Sequence, residues 1–383
     1  GQMSDANEAS ARRPASGRHA TEGDNDVSER PAKRRISQLL RQERRTAYFL
    51  LLPTFIVLAI IAAYPFARVV YSSLTNAKFA SSQPTSFIGL ENYRTLLAFT
   101  IRELPPQLDE AGEPEVLNGK LQYVSAVSIL PRSPNRYRQV FQFSLLGKRY
   151  VLGAISADFI RSVWDTVVFT VVAVAFETIL GMIIALTLAS RFRGRGAMRA
   201  AMLVPWAVIT VVSARIWEWM LQPTRAGLFN TLGSYLGLSD GRTDFFGNPA
   251  LQLPSMIMMD VWKTTPFMAL LLLAGLATIP AEYAEAAKVD GAGPLKRFFR
   301  ITLPLLTPTL AVALIFRTLD SLRVFDIFQV VLGNQRYSMA SFAQDMLISR
   351  RDMGLSSAAS VTIFVIIFVF ALLYVRSMKV DTQ

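Results

Sequence analysis

The chain contains no cysteine, and its only histidine is His19. Disulfides and thiolate metal sites are therefore excluded. A zinc centre or a histidine-based triad has no residues to build it, and no catalytic residue or metal ligand is assigned. No G-x-x-x-x-G-K-[ST] loop occurs, so nothing here would cradle the phosphates of ATP. Acidic residues are also scarce, 28 Asp and Glu against 40 Lys and Arg, for a formal net charge of +12. Such a surplus suits nucleic acid or a membrane surface, and the arrangement of the cations along the chain decides between them. The basic stretch near the N-terminus lacks the interleaved aromatics that stack on bases, which removes nucleic acid.

What the chain has in quantity is apolar residues, 52% of 383. That is high for a soluble domain of this size and ordinary for a polytopic membrane protein. Gly1-Gln2 ahead of Met3 is expected to be a cloning scar, and 1–29 is polar enough to be a disordered tail. A basic juxtamembrane helix is expected over 30–46, attracting anionic headgroups at ~1 kcal/mol per cation. The first transmembrane helix is placed at 47–76 and is long enough that no cleaved signal peptide is expected. An extracytoplasmic stretch follows at 77–161. Within it, about 98–156 carries strand-like runs at 121–129, 137–146 and 150–155 and reads as a small β-rich cap. Residues 162–378 hold five further apolar segments, the third span of the chain interrupted by Pro205 and the fifth beginning at Leu303 and continuing to Leu332.

Cations follow several of these segments at once: Arg191, Arg193, Arg195 and Arg199 after the second, Arg376 and Lys379 after the sixth. Six spans with both termini inside then satisfy the positive-inside rule at every short loop, the long first loop being exempt.

Ionisable residues at bilayer depth cost ~2.5–3.5 kcal/mol each on insertion and usually face a cavity or a partner. Asp260, Lys263, Thr264 and Phe267 fall at i, i+3, i+4 and i+7, on one helical face. They offer a carboxylate, an ammonium, a hydroxyl and an aromatic ring, the mixture a sugar needs. Asp320, Ser321, Arg323 and Val324 form a second polar patch, and Trp206 and Thr210 lie one turn apart beside Pro205. The competing explanation is internal pairing of Asp260 with Lys263, and of Asp320 with Arg323 or Arg317. Arg215 and Glu218 suit an interface or an ion pair, and Glu177 has no role assigned.

The most informative stretch is Glu285-Ala286-Ala287-Lys288-Val289-Asp290-Gly291, with Ile301-Thr302-Leu303-Pro304 nine residues on. This spacing resembles the cytoplasmic "EAA loop" of ABC importer permeases. Trp262-Lys263-Thr264-Thr265-Pro266-Phe267, Ile279-Pro280 and Phe316-Arg317-Thr318-Leu319-Asp320 ahead of Phe325-Asp326 are similar to the maltose- and trehalose-type carbohydrate permeases. The resemblance implies an all-α polytopic fold, six transmembrane helices of the type I ABC importer permease, with the cap inserted between the first two. It implies a transport subunit, not an enzyme, importing a disaccharide or short α-glucoside by alternating access.

The implied partners are a second homologous permease, an ATPase homodimer that carries the ATP and Mg, and an extracytoplasmic solute-binding lipoprotein, all at the bacterial cytoplasmic membrane. In the loop at 281–304, Glu285, Ala286, Ala287, Asp290, Gly291, Leu303 and Pro304 would couple to the ATPase. Carried over from the family, the sugar contacts fall on Trp206, Thr210, Asp260, Lys263, Thr264, Phe267, Asp320, Ser321 and Val324, with Arg323 added from the polar patch. Maltose-type permeases place neutral amides at some of these positions, so the charged groups here lean toward the trehalose branch. The alternatives are a permease for glycerol-phosphate or polyol solutes, and an ATP-independent carrier or membrane enzyme. The cap reads equally as a contact for the binding protein or as a lineage-specific ornament.

Overall fold

A computed structural model describes residues 30–377 apart from 111, 118 and 191. The expected disordered tail at 1–29 lies outside the described residues. The chain divides at Pro65 into two units.

In the first unit, α1 (Arg30–Leu58) runs without a break through the position where the juxtamembrane helix was separated from the first span. A π-helical turn, Ala59–Ala63, follows it. The boundary falls inside α2 (Tyr64–Ser73), whose residues from Phe66 on belong to the second unit.

The rest of the second unit begins with α3 (Glu91–Leu97), and then the chain turns to strands. β1 (Phe99–Leu104), β4 (Arg138–Leu145) and β5 (Lys148–Ala154) form an antiparallel sheet in the order β1-β5-β4. A two-residue hairpin pair, β2 (Val116–Leu117) and β3 (Lys120–Leu121), stands beside it. The strand expected over 121–129 does not form. After Leu121 the chain makes a single helical turn, α4 (Ala126–Ile129), whose Ala126 is buried with Leu130 against Leu104 and Val151. The edge strand β1 comes from 99–104, where apolar residues alternate only at Phe99, Ile101 and, out of phase, Leu104. β5 takes the centre because it is flanked on both sides, and Gly153 is required there. A Cβ on it would stand 2.3 Å from Leu130 Cδ2.

β5 leads within three residues into α5 (Ala157–Ala189). The remaining elements are α6 (Arg195–Ala207), α7 (Thr210–Met220), α8 (Leu228–Tyr235), α9 (Pro249–Ala277), α10 (Ala281–Val289), α11 (Pro294–Arg297), α12 (Leu303–Ser321), α13 (Met339–Ile348) and α14 (Met353–Ser377). Among the described residues five helices are long and apolar enough to cross a membrane, and α6 with α7, bent by 93°, makes a sixth if the pair is one span. Pro205 sits in the last turn of α6, where a proline removes an intrahelical bond, and the helix ends two residues on.

The fifth span differs from its expected bounds at both ends. It starts at Pro294 and reaches Ser321, passing Leu303-Pro304 through a π-helical turn, Phe298–Thr302. A widened turn accommodates a proline without N–H, so Pro304 continues the helix instead of restarting it. The helix then stops at Ser321; a separate π-helical turn, Phe328–Leu332, follows a break at 322–325, so no continuous span reaches Leu332.

The core is the packing of α5 on α9 and α12. Phe169, Trp217, Met256 and Phe328 fill one end, and Met182, Met268, Leu272 and Leu306 the other. At the other end of the sequence's second unit, Arg336 grips the buried Asp165 with two bonds of 2.6 Å, and Thr166 Oγ1 accepts from the Met339 N–H at 3.0 Å. These tie the start of α5 to the start of α13. In α13, Phe342, Ala343 and Met346 are buried while Ile348 is exposed.

Candidate functional site

The broken span and the end of α12 leave a concavity of about 420 Å³. Its wall includes Trp206, Thr210, Asp260, Lys263, Thr264, Asp320, Ser321, Arg323 and Val324. Phe267, the remaining residue expected there, stands behind the wall: its ring stacks on that of Trp206 with centroids 6.0 Å apart and planes 9° from parallel. Residues from four helices, α6, α7, α9 and α12, separated by more than a hundred positions in sequence, thus meet at one surface. Sequence reasoning missed Arg317, Phe325, Asp326 and Ile327 as wall residues. Phe325-Asp326 was visible as part of the resemblance, but the break at 322–325 that turns them inward was not.

The charges pair only in part as expected. Asp320 bonds Arg317 at 2.8 Å, one of the two partners expected for it, whereas Asp260 bonds Arg317 and not Lys263. Arg317 also clasps Glu177, with Nε to Oε2 at 2.5 Å and a terminal nitrogen to Oε1 at 2.9 Å. The planar, five-donor guanidinium makes four bonds to three carboxylates, one more than the three N–H donors of an ammonium allow. Thr264 Oγ1 lies 2.6 Å from Glu177 Oε1 and 2.6 Å from the Asp260 carbonyl. Glu177, for which the sequence offered no role, is the buried centre of this cluster and joins α5 to α9 and α12. Its partner lies 140 residues away, a separation at which no local spacing reveals a pair.

Lys263 is drawn away from the carboxylates. Its ammonium donates to the Val208 carbonyl and, at 3.4 Å, to that of Trp206. These carbonyls sit at the C-terminal end of α6, where the last turn leaves acceptors without intrahelical donors and the helix dipole is negative. Lys263 therefore holds the break in place, and with it the Trp206 ring. Arg323 donates to the Leu319 carbonyl at 3.2 Å, and Arg215 pairs with Glu218 at 2.6 Å on an exposed surface. Ser321 is a wall residue, but its Oγ is buried and has no hydrogen-bond partner among the described residues.

The second set of expected residues lies elsewhere, in the connection after α9. Glu285, Ala286 and Asp290 are exposed on α10, while Ala287 is buried. Gly291, at φ +74°, follows the C-cap: its N–H bonds the Lys288 carbonyl at 3.0 Å, and the Ala292 N–H bonds that of Ala287 at 2.9 Å. This is a Schellman motif, in which the left-handed residue is usually glycine. Leu303 is half-buried and Pro304 exposed in the helix that follows. Tyr283, Val289, Leu295 and Phe299 add exposed apolar side chains around the loop.

The letters G-x-S-x-G do occur, at 237–241, but they follow α8 instead of a strand, and Ser239 Oγ is spent accepting the Gly241 N–H at 3.3 Å. No hydrolase elbow is formed there.

Residues 150–379 match the family model of the binding-protein-dependent transport system inner membrane component. The chain is 46% identical over 238 residues to the trehalose/maltose transport system permease protein MalF of Thermococcus litoralis, covering 60% of this chain and 79% of that one. It is 31% identical over 340 residues to the trehalose transport system permease protein SugA of Mycobacterium tuberculosis, covering 87% and 89%. Its fold superposes on a chain of a bacterial ABC transporter that imports the acidic polysaccharide alginate, with a TM-score of 0.64 at 21% identity, covering 90% of this chain and all of the other. The chain belongs to the family of binding-protein-dependent transport system inner membrane components and is a multi-pass permease subunit of an ABC importer.

Proposed function

We propose that the chain carries a disaccharide or short α-glucoside of the trehalose or maltose kind across the bacterial cytoplasmic membrane. The single observation behind this reading is the concavity at the broken span. There the Trp206 plate, backed by Phe267, shares one wall with the hydroxyls of Thr210 and Thr264 and the carboxylates of Asp320 and Asp326. The relatives named above, both permeases of trehalose or trehalose/maltose systems, support the same solute class.

One permease supplies half of the path. A second, homologous permease would close the concavity, and an ATPase pair would bind the exposed face around Glu285, Ala286, Ala287 and Asp290. Glu285 would anchor to a cation of the ATPase, and the continuous helix through Leu303 and Pro304 would carry the motion to Asp320 and Ser321 at its far end. ATP and Mg belong to that partner. Six spans with both termini inside put the loop at 281–304 in the cytoplasm and the sheet at 99–154 outside, where a solute-binding protein would deliver sugar. An anionic polyol phosphate suits the site less well, because the wall holds as many carboxylates as cations.

The test is ATPase activity of the co-purified complex in nanodiscs with its binding protein, against trehalose, maltose and glycerol 3-phosphate. Stimulation by trehalose or maltose is expected. Stimulation by glycerol 3-phosphate alone would overturn the solute assignment.

A further inference from the structure

The same fold serves an importer of an acidic polysaccharide, so the sign of the solute is not set by the fold and must be read from the wall of this cavity. Three cations and three carboxylates face it, which on a count alone would be neutral: Lys263, Arg317 and Arg323 against Asp260, Asp320 and Asp326. Their engagement is unequal. Arg317 is 3% exposed and spends its guanidinium on Asp260, Asp320 and Glu177. Lys263 is spent on the carbonyls of Trp206 and Val208. Of the cations only Arg323 is exposed; its Nε donates to the Leu319 carbonyl, and its terminal nitrogens carry the free cationic donors of the wall.

The carboxylates keep more in hand. Asp320 gives one bond to Arg317, and its side chain is 70% exposed. Asp326 is exposed and has neither a hydrogen bond nor an ion pair among the described residues. With Glu177 behind the wall, four carboxylates stand against three cations. What the wall offers a solute is therefore chiefly acceptors, Asp326 and the free oxygen of Asp320, with Arg323 as its one exposed cation.

We infer that the cavity selects against anionic solutes, and that Asp326 is the specificity-determining residue that sets this. Neutral polyhydroxyl compounds and those bearing an ammonium satisfy the wall by donating to it. A carboxylated or phosphorylated sugar brings further acceptors to a surface already rich in them and meets like charge at low dielectric. The inference rests on the sugar-path reading of this cavity and extends it to charge.

The absence of cysteine from the chain makes the local potential directly measurable. In the assembled complex, Val324→Cys on one wall and Thr210→Cys on the other are introduced separately. Each is labelled with a cationic and an anionic methanethiosulfonate of similar size, and labelling of this chain is resolved by gel. The reporter reacts faster with the cationic reagent, relative to a free thiol in solution, and Asp326→Asn cuts that preference by about threefold or more at low salt. Two reporters guard against one that misfolds. A ratio equal to that of the free thiol at both reporters, or one that Asp326→Asn leaves unchanged, overturns the inference. The readout needs no sugar and no binding protein, so it stands or falls apart from the ATPase test of the solute.

Discussion

Replacing Arg317 by methionine should be the most damaging single change in the membrane part of this chain. The side chain is 3% exposed and holds Glu177, itself fully buried, together with Asp260 and Asp320. Methionine keeps most of the volume and removes the charge. Asp320 can turn to the cavity, but Glu177 loses both of its charged bonds and keeps the Thr264 hydroxyl, and Asp260 loses the guanidinium that bonds it. Breaking a buried pair in this way costs about 3–5 kcal/mol, because the carboxylate left behind is uncompensated. At ~2–4 °C per kcal/mol for a chain of this order of size, the midpoint should fall by roughly 10 °C. The assay is size exclusion of the complex after stepwise heating, followed through a tag on this chain. Arg215→Met is the control, since that arginine is 58% exposed and bonds only Glu218, a surface pair worth about 0–1 kcal/mol. Adding Glu177→Gln and Asp260→Asn to Arg317→Met should restore most of the loss, because neutral amides need no counter-charge. The reasoning fails if Arg317→Met moves the midpoint no further than the control, or if the triple variant is no better than the single one.

Three further outcomes are expected. Lys263→Met removes charged hydrogen bonds worth about 1.5–3 kcal/mol from the end of α6, which should raise the sugar concentration for half-maximal ATPase stimulation about tenfold, with Lys263→Arg in between. Gly291→Ala meets no atom within 4 Å, so its cost is backbone strain alone, ~1–2 kcal/mol; Gly291→Asn should be milder, and equal effects of the two on thermal midpoint would contradict the left-handed cap. Glu285→Gln should weaken sugar-stimulated ATPase while the complex still purifies intact, and unchanged stimulation would remove its role as anchor.

The spans were legible because long apolar runs bounded by arginines have few alternatives in a chain of this composition. The helical face of Asp260, Lys263, Thr264 and Phe267 was legible from spacing, since i+3 and i+4 neighbours share a side of a helix whatever surrounds it. Their partners were not. Arg317 reaches Glu177 across 140 residues and Asp260 across 57, and nothing local distinguishes that choice from a bond between Asp260 and Lys263 on the same helix. Lys263 went to backbone carbonyls, which carry no letter in the sequence. The bend between α6 and α7 was hinted at by Pro205, but not its 93°. β1 was missed and a strand at 121–129 expected in its place because Leu121 to Ile129 is the more apolar stretch; tertiary packing of α4 against the sheet overrode it.

The sheet enters and leaves the chain at one point. Phe99 and Ala154 are register partners across β1 and β5, and antiparallel partners stand only ~4.5–5.5 Å apart at Cα. Everything between them could be exchanged for a short turn without respacing α3 and α5, and closing so small a gap costs little chain entropy. The fifty-odd residues are thus a cassette with adjacent ends. A lineage can gain, lose or lengthen such a piece without disturbing the translocation path, and an experimenter can put a fluorescent or affinity module in its place.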